Sequence, residues 1–465
     1  MKPHPNLVFC FALLLTGGGI AAAAQQPLHR ADEDLSVGAP VLTLEQAIRK
    51  ALGQNPEAAA ARASSQEARS DASLARTQLF PHLDFTEDIS RGDDPVYVFG
   101  TRLRQRQFTQ ADFALNALNT PQPIGNFATR FSGSWTAFDS FKTQRQIHSA
   151  DLMRKSADSS AQAVNQQIVL QVVKAYQSVL YAQREIAVAR HEQETAAALL
   201  TSVDQHVKAG LAVESDRMSA EVNVAARKED LIAAEGDLNL AWAELRAAMG
   251  APHLAPSVLQ PIEPRSFPPQ TLDDALATAA RTRPDLQAIG EAQSAEASTV
   301  GAARSAFGPQ ISTYGNWEED RPTFAGSGGN NWVAGVRLSV DLLPLGKHAQ
   351  LARERAAKER IDAQKAASEL QVRLEVSRAY IGRQTAQLSE QTAQAALAQA
   401  AESLRIVRNR YNAGLDPITE LLRAEDAERQ SQTSYWRAVY GSAVAYAELL
   451  YATGTLTPEA AEVLQ

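Results

Sequence analysis

The side chains able to do chemistry are few and scattered along this 465-residue chain. A hydrolytic or metal site needs histidines, carboxylates or thiols that converge on one point. The histidines stand apart at His29, His82, His148, His191, His206, His253 and His348, with His4 near the start, and no two have ligand spacing. His206, beside a turn, reads as a surface histidine. The only cysteine, Cys10, sits in an apolar run, which leaves no disulfide and no thiolate site beyond it. Gly326-Ser327-Gly328-Gly329 lacks the Lys-Ser/Thr pair and the following helix of a phosphate loop. The methionines do not cluster, so a soft-metal relay has no support. The residues point to no enzyme, no cofactor and no metal. A net charge of −8 gives no reason to expect nucleic acid as a partner.

What the chain does must then lie in its elements. From Ile168 to Leu211 the apolar residues Ile168, Val172, Ala175, Val179, Ala182, Ile186, Ala189, Ala196, Leu200, Val203 and Val207 alternate spacings of four and three, with Gln193 breaking one slot. That is a heptad seam, which asks for a partner helix. It stops at Ala209-Gly210-Leu211, where glycine can take the left-handed conformation that ends a helix. A second helical run, opened by Asp216 and Glu221, reaches Met249. The unit recurs: a shift of 204 carries the seam onto Val372, Val376, Ala379, Ala386, Ala393, Leu397, Ala400, Leu404, Val407 and Tyr411, and the turn onto Ala413-Gly414-Leu415. Arg383 and Glu390 fill the two slots that do not fit. Chance helical composition would not keep the turn in register, so duplication is the reading. The long helices, Lys142 to about Val207 and Lys347 to about Tyr411, are each ~100 Å rods.

Ahead of each rod lies another repeated stretch, shifted by 228: Thr43-Leu44 matches Thr271-Leu272, Pro56-Glu57 matches Pro284-Asp285, and Pro81 matches Pro309. Thr43 reads as an N-cap, and Asn55-Pro56-Glu57 as a break. After Pro81 and Pro309 the period changes to two. Leu83, Phe85 and Ile89 alternate with polar neighbours, as do Phe127, Phe131, Trp135 and Ala137 with Arg130, Ser132, Ser134 and Thr136. Ile311, Thr313 and Trp317 alternate with Ser312, Tyr314, Asn316 and Glu318, and Trp332, Ala334, Val336, Leu338, Val340 and Leu342 with Asn331, Gly335, Arg337, Ser339 and Asp341. These are four candidate strands of the ~10 residues a membrane strand needs. Trp135, Trp317 and Trp332 fall in them, as an interfacial aromatic girdle requires. Alternation alone also allows a soluble hairpin, but there is no other sheet for these strands to join. The connection from Gly92 to Asn126 carries Tyr97, Phe99, Phe108 and Phe113 and is expected to be an ordered external loop. Four strands cannot close a barrel, and open edges are not tolerated in lipid, so the chain must oligomerise, with two chains or three.

The expected organisation is a signal peptide (1–24), with Lys2, an apolar core from Leu7 to Leu15 and Ala22-Ala23-Ala24 before the cut. A first repeat follows (25–250, strand pair 81–139, tip 209–211), then a proline-rich linker (251–270). A second repeat (271–454, strand pair 309–343, tip 413–415) leads to a tail (455–465).

The second tip, Arg410-Tyr411-Asn412-Ala413-Gly414-Leu415 followed by Glu420-Leu421-Leu422-Arg423-Ala424, together with the repeated element order, resembles the TolC family of outer-membrane efflux channels. The stretch from Asp94 to Thr101 resembles the first external loop of some members, and the likeness spans nearly the whole chain after the leader. It implies a mainly α fold with membrane β: four strands and long coiled-coil helices per protomer, an internal two-fold repeat, and an α/β-barrel closed only as an oligomer. It further implies a homotrimer in the outer membrane of a Gram-negative bacterium, extending through the periplasm. Such a trimer is the passive exit duct of a tripartite efflux or secretion system, meeting a periplasmic adaptor and an inner-membrane pump. Carried over residue by residue, Ala209, Gly210 and Leu211 and Ala413, Gly414 and Leu415 become adaptor-contacting tips, although alanine stands where the family often has valine. Asp216 and Glu420 become a periplasmic gate, with Arg423 replacing a second acid and able to pair with Glu420. Two other readings compete. A periplasmic coiled-coil scaffold without a pore would leave the strands without lipid to face, and a periplasmic enzyme would need the convergent site that is missing.

Overall fold

The computed structural model describes residues 41–255, 257–260 and 270–459; the signal peptide, half of the proline-rich linker and most of the C-terminal tail lie outside the described residues. The first half runs β1 (Val41–Leu42), α1 (Leu44–Gln54), α2 (Pro56–Thr77), β2 (His82–Gly92), α3 (Pro95–Arg104), a 3₁₀ turn at Gln110–Phe113, α4 (Leu115–Asn119), β3 (Ile124–Phe138), α5 (Lys142–Lys208) and α6 (Glu214–Ala248). The second half runs β4 (Val258–Leu259), α7 (Leu272–Thr282), α8 (Pro284–Ser305), β5 (Gln310–Arg321), β6 (Gly329–Ser339), α9 (Leu345–Asn412) and α10 (Ile418–Ala452). The order helix, helix, strand, strand, long helix, return helix thus occurs twice. The segment between β2 and β3, expected as a loop, is largely helical.

Local chemistry sets the boundaries. The Thr43 hydroxyl accepts from the Gln46 N–H at 3.1 Å while the Gln46 side chain accepts from the Thr43 N–H, a capping box. Thr271 accepts from the Asp274 N–H at 3.1 Å in the same way. Pro56 and Pro284, lacking an N–H, end one helix and open the next.

β2, β3, β5 and β6 form one antiparallel sheet in that order. Register places Phe85, Phe131, Trp317 and Trp332 opposite one another in a row across all four strands. Phe85 and Phe131 lie 5.1 Å apart and Phe131 and Trp317 5.8 Å apart by ring centroid. The same face carries Leu83, Ile89, Trp135, Val336 and Leu338, all exposed in the protomer. The other face carries Asp84, Ser132 and Asn316 in one row and Thr86, Arg130, Glu318 and Asn331 in the next. The alternation through Val340 and Leu342 outlasts β6, because the ladder ends at Gln310 paired with Ser339 and Pro309 has no N–H to extend it.

The helices form open arcs. Near the sheet α2, α5, α8 and α9 pack side by side, and beyond it α6, α5, α10 and α9 do so. The main core lies where they overlap, with Ile168, Val172, Tyr176 and Val179 of α5 against Leu44 and Ile48 of α1, Trp242 and Leu245 of α6 and Tyr446 of α10. β1 pairs in parallel with β4, and the buried Tyr176 hydroxyl lies 2.9 Å from the Leu42 carbonyl and 3.0 Å from that of Gln260. That little sheet was not legible in the sequence, since two residues carry no period.

Candidate functional site

Among the described residues, both ends of the protomer present exposed apolar side chains. At the end away from the sheet, α5 closes with the Gly210 N–H bonded to the Val207 carbonyl at 3.0 Å and the Leu211 N–H to that of His206 at 2.8 Å. α9 closes alike, the Gly414 N–H to Tyr411 and the Leu415 N–H to Arg410, both at 2.9 Å. The glycines have φ of 73° and 74°, and a Cβ on either would meet nothing within 4 Å. Glycine is used here for its backbone conformation and not for lack of room. Ala209 and Ala413 are exposed, and Leu211 and Leu415 project at 78% and 69% exposure.

The two tips pack together through Val203, Ala220 and Ile418, with Leu200, Val207, Tyr411 and Leu422 around them. Asp216 and Glu420 stand in the first turns of α6 and α10, where the helix N-terminus favours a carboxylate. Glu420 is paired with Arg423 of its own helix at 2.8 Å. The Tyr411 phenol of the second hairpin is pushed up by its burial and then by the Asp216 charge. The structure thus brings Glu420 and Arg423 together.

Sequence reasoning missed two features here. Arg410 grips Asp416 across the second turn with bonds of 2.8 and 2.9 Å, which raises the Arg410 pKa and lowers that of Asp416. The spacing of six spans a glycine turn, so helical periodicity does not expose it. Above the tips, Arg227 of α6 is almost wholly buried and bonds Asp230 at 2.9 Å and, across to α10, Asp426 at 2.7 Å. Beside this strap burial lifts the carboxyls of Glu192 and Glu425. The crowding of Glu425 and Glu428 adds to the effect at Glu192.

At the other end the sheet is two-faced. Trp317 and Trp332 stand in the aromatic row toward the end away from the helices. Trp135 sits nearer the helices, opposite Thr313, and its indole donates to the Leu79 carbonyl at 2.9 Å. On the polar face Arg130 pairs with Glu318 at 3.0 Å. Among the described residues no group of three or more His, Cys, Asp or Glu side chains is placed to hold a metal, and no helix is long and apolar enough to cross a membrane. His206 is exposed, and His348 packs its ring on Phe307 at 4.8 Å.

The arrangement can do one thing: make a two-faced wall on a rod, ending in a small exposed turn. The CusC channel has the same fold, with a TM-score of 0.75 at 18% identity, over 88% of this chain and 92% of that one. Protein CyaE of Bordetella pertussis is 26% identical over 333 residues, 70% of this chain and 69% of that protein. Outer membrane protein OprJ of Pseudomonas aeruginosa is 26% identical over 365 residues, 74% of this chain and 72% of that protein. The family model described as outer membrane efflux protein matches residues 47–251 and 275–455, both structural halves. This chain belongs to the outer membrane efflux protein family.

Proposed function

We propose that three copies of this chain form an outer-membrane channel, the exit duct of a tripartite efflux or secretion system. One observation carries the reading: at every level the protomer is an arc with two free edges. The sheet ends in β2 and β6, and the helical arcs end in α2 or α6 on one side and α9 on the other. Unpaired strand edges in lipid and unpaired seams in water both demand a neighbour, and repeating the arc supplies one. Three arcs of four give a twelve-stranded barrel continued by a twelve-helix tunnel. The apolar sheet face then meets lipid, and the polar face lines a water-filled passage. Energy comes from an inner-membrane pump through a periplasmic adaptor.

We assign adaptor contact to Ala209, Gly210, Leu211, Ala413, Gly414 and Leu415, supported by their exposure and by the resemblance. We assign the periplasmic gate to Asp216, Glu420 and Arg423 on the same grounds, and divide the chain into repeats 25–250 and 271–454 joined by 251–270. The test is reconstitution in planar bilayers of protein extracted from the membrane fraction. A three-chain particle with a pore is the expected result, and a single chain without conductance overturns the reading. Asp216→Ala with Glu420→Ala is expected to raise single-channel conductance, and unchanged conductance removes those residues from the gate. A periplasmic scaffold would fractionate with soluble periplasmic contents.

A further inference from the structure

We propose that residues 93–123 form a lid over the outer end of the passage, latched to the barrel wall by Arg104 and Gln105. This rests on the channel reading above. Gly92 and Ile124 are register partners, so a two-residue turn would have joined β2 to β3. The chain instead inserts α3, a 3₁₀ turn and α4 there.

The insert lies on the polar face. The Tyr97 and Ser90 hydroxyls are 2.9 Å apart. Gln105 donates through Nε2 to the Gly125 carbonyl at 2.8 Å and to Asn126 Oδ1 at 2.9 Å, and Asn126 donates on to Asp320 at 2.6 Å. Arg104 reaches Glu318 at 3.4 Å. A Cβ on Gly329 would lie 2.0 Å from the Arg104 carbonyl oxygen, so α3 is pressed directly on β6. Ser90, Asn126, Glu318, Asp320 and Gly329 share the polar face, and Asn126, Glu318 and Asp320 are 5%, 8% and 0% exposed. On the opposite face of the same strands Ile89 is 67% exposed and Phe131 53%. Arg106 adds a hold at the rim, donating to the Asn330 carbonyl at 2.9 Å and to Asn330 Oδ1 at 3.2 Å, while the other contacts of the insert with the wall lie on the lumen side.

The insert is stiff and its attachment is breakable. Phe108 packs edge-on against both Phe99 and Phe113, and Arg102 pairs with Asp112 at 2.5 Å. Its holds on the wall are hydrogen bonds and an ion pair, which exchange for water when the lid lifts. One oxygen of Asp320 is buried without a hydrogen-bond partner, so the chain from Gln105 through Asn126 ends on a carboxylate that gains a water ligand when the lid lifts.

The test uses the full chain in a Cys10→Ser background with Ser132→Cys, which lies on the polar face nearer the helices, opposite Asp84 and Asn316. A polyethylene-glycol maleimide is added to intact cells and the labelling rate measured. Arg104→Ala with Gln105→Ala is expected to speed labelling at least ~10-fold, as for a lid that is open a tenth of the time or less. Replacement of residues 93–123 by Asn-Gly gives the same gain by removing the lid. Val98→Cys, 4% exposed among the insert's own side chains, must stay as slow to label without the latch as with it, which shows that the insert still folds. Equal rates at Ser132→Cys in all backgrounds overturn the lid while leaving the channel intact. Labelling of Phe131→Cys by the same aqueous reagent overturns lid and channel together, since that position would then face water.

Discussion

Gly250 and Gly454 end α6 and α10 as Gly210 and Gly414 end α5 and α9, yet the pairs are used differently. All four have positive φ. A Cβ on Gly250 would lie 2.6 Å from Cα of Asn55, and one on Gly454 2.8 Å from Cα of Arg283, so these ends butt against the α1–α2 and α7–α8 junctions. Asn55 bonds the Ala248 carbonyl at 2.9 Å, and Arg283 that of Ala452 at 3.3 Å, equivalent contacts in the two halves made by different chemistry. Gly250→Ala or Gly454→Ala is expected to cost about 2–4 kcal/mol, left-handed strain plus overpacking. Gly210→Ala or Gly414→Ala should cost about 1–2 kcal/mol, strain alone. Denaturation midpoints of the purified protein check the contrast. Arg283 is buried, which pulls its pKa down, but bonds to Asp285 and Glu375, both at 2.6 Å, more than offset this and hold it up. Arg283→Ala leaves both carboxylates without their partner, and because these are 43% and 33% exposed and can rehydrate, it should destabilise by about 1.5–3 kcal/mol on the same measurement.

The two long helices have equivalent seams and different fates. Ile168, Val172, Ala175, Val179, Ala182, Ile186, Ala189, Ala196 and Val203 are all buried, because α5 has neighbours on both sides. In α9 only Val372 and Val376 of the matching set are buried, because α9 is an edge. Between the hairpins, Glu192 of α5 is half-buried with Glu425 and Glu428 of α10 near it, offset by Arg227 of α6 and by His191. A carboxyl raised in the folded state binds its proton more tightly there than in the unfolded chain. Stability is therefore fully present below the ordinary glutamate pKa and falls as pH rises through the raised one. Glu192→Gln is expected to raise the thermal midpoint by about 1–2 °C at pH 8, with the gain shrinking toward pH 4. An equal shift at both values removes the electrostatic account.

For the whole molecule the free edges decide assembly. On α9, Leu370, Leu374, Ile381 and Leu388 recur at spacings of four and seven and are exposed, as are Met218, Val222, Ile232 and Leu240 on α6 at the other edge. In a ring of arcs, α9 of one protomer lies against α6 of the next. Ile381→Arg with Leu388→Arg should shift the detergent-extracted protein from trimer to monomer in sedimentation, whereas Arg353→Ala, changing an exposed polar site on the same helix, should not. Retention of the trimer by the double variant means that this seam does not join protomers.

The sequence by itself determined the helices, the strands and the repeat, because each is written as a local period: heptads for the rods, alternation for the strands, glycine for the turns. It also determined that four strands need company, since closure is counting. Only the tertiary structure decided which seam is buried and which is left open, because equal seams differ by their place in the arc. It likewise placed Arg227 against Asp426 and Gln105 against Asn126 on the polar face. Those pairs join residues far apart in the chain, and no period links them. Contact between distant elements is a property of packing, and packing is fixed by all the elements at once.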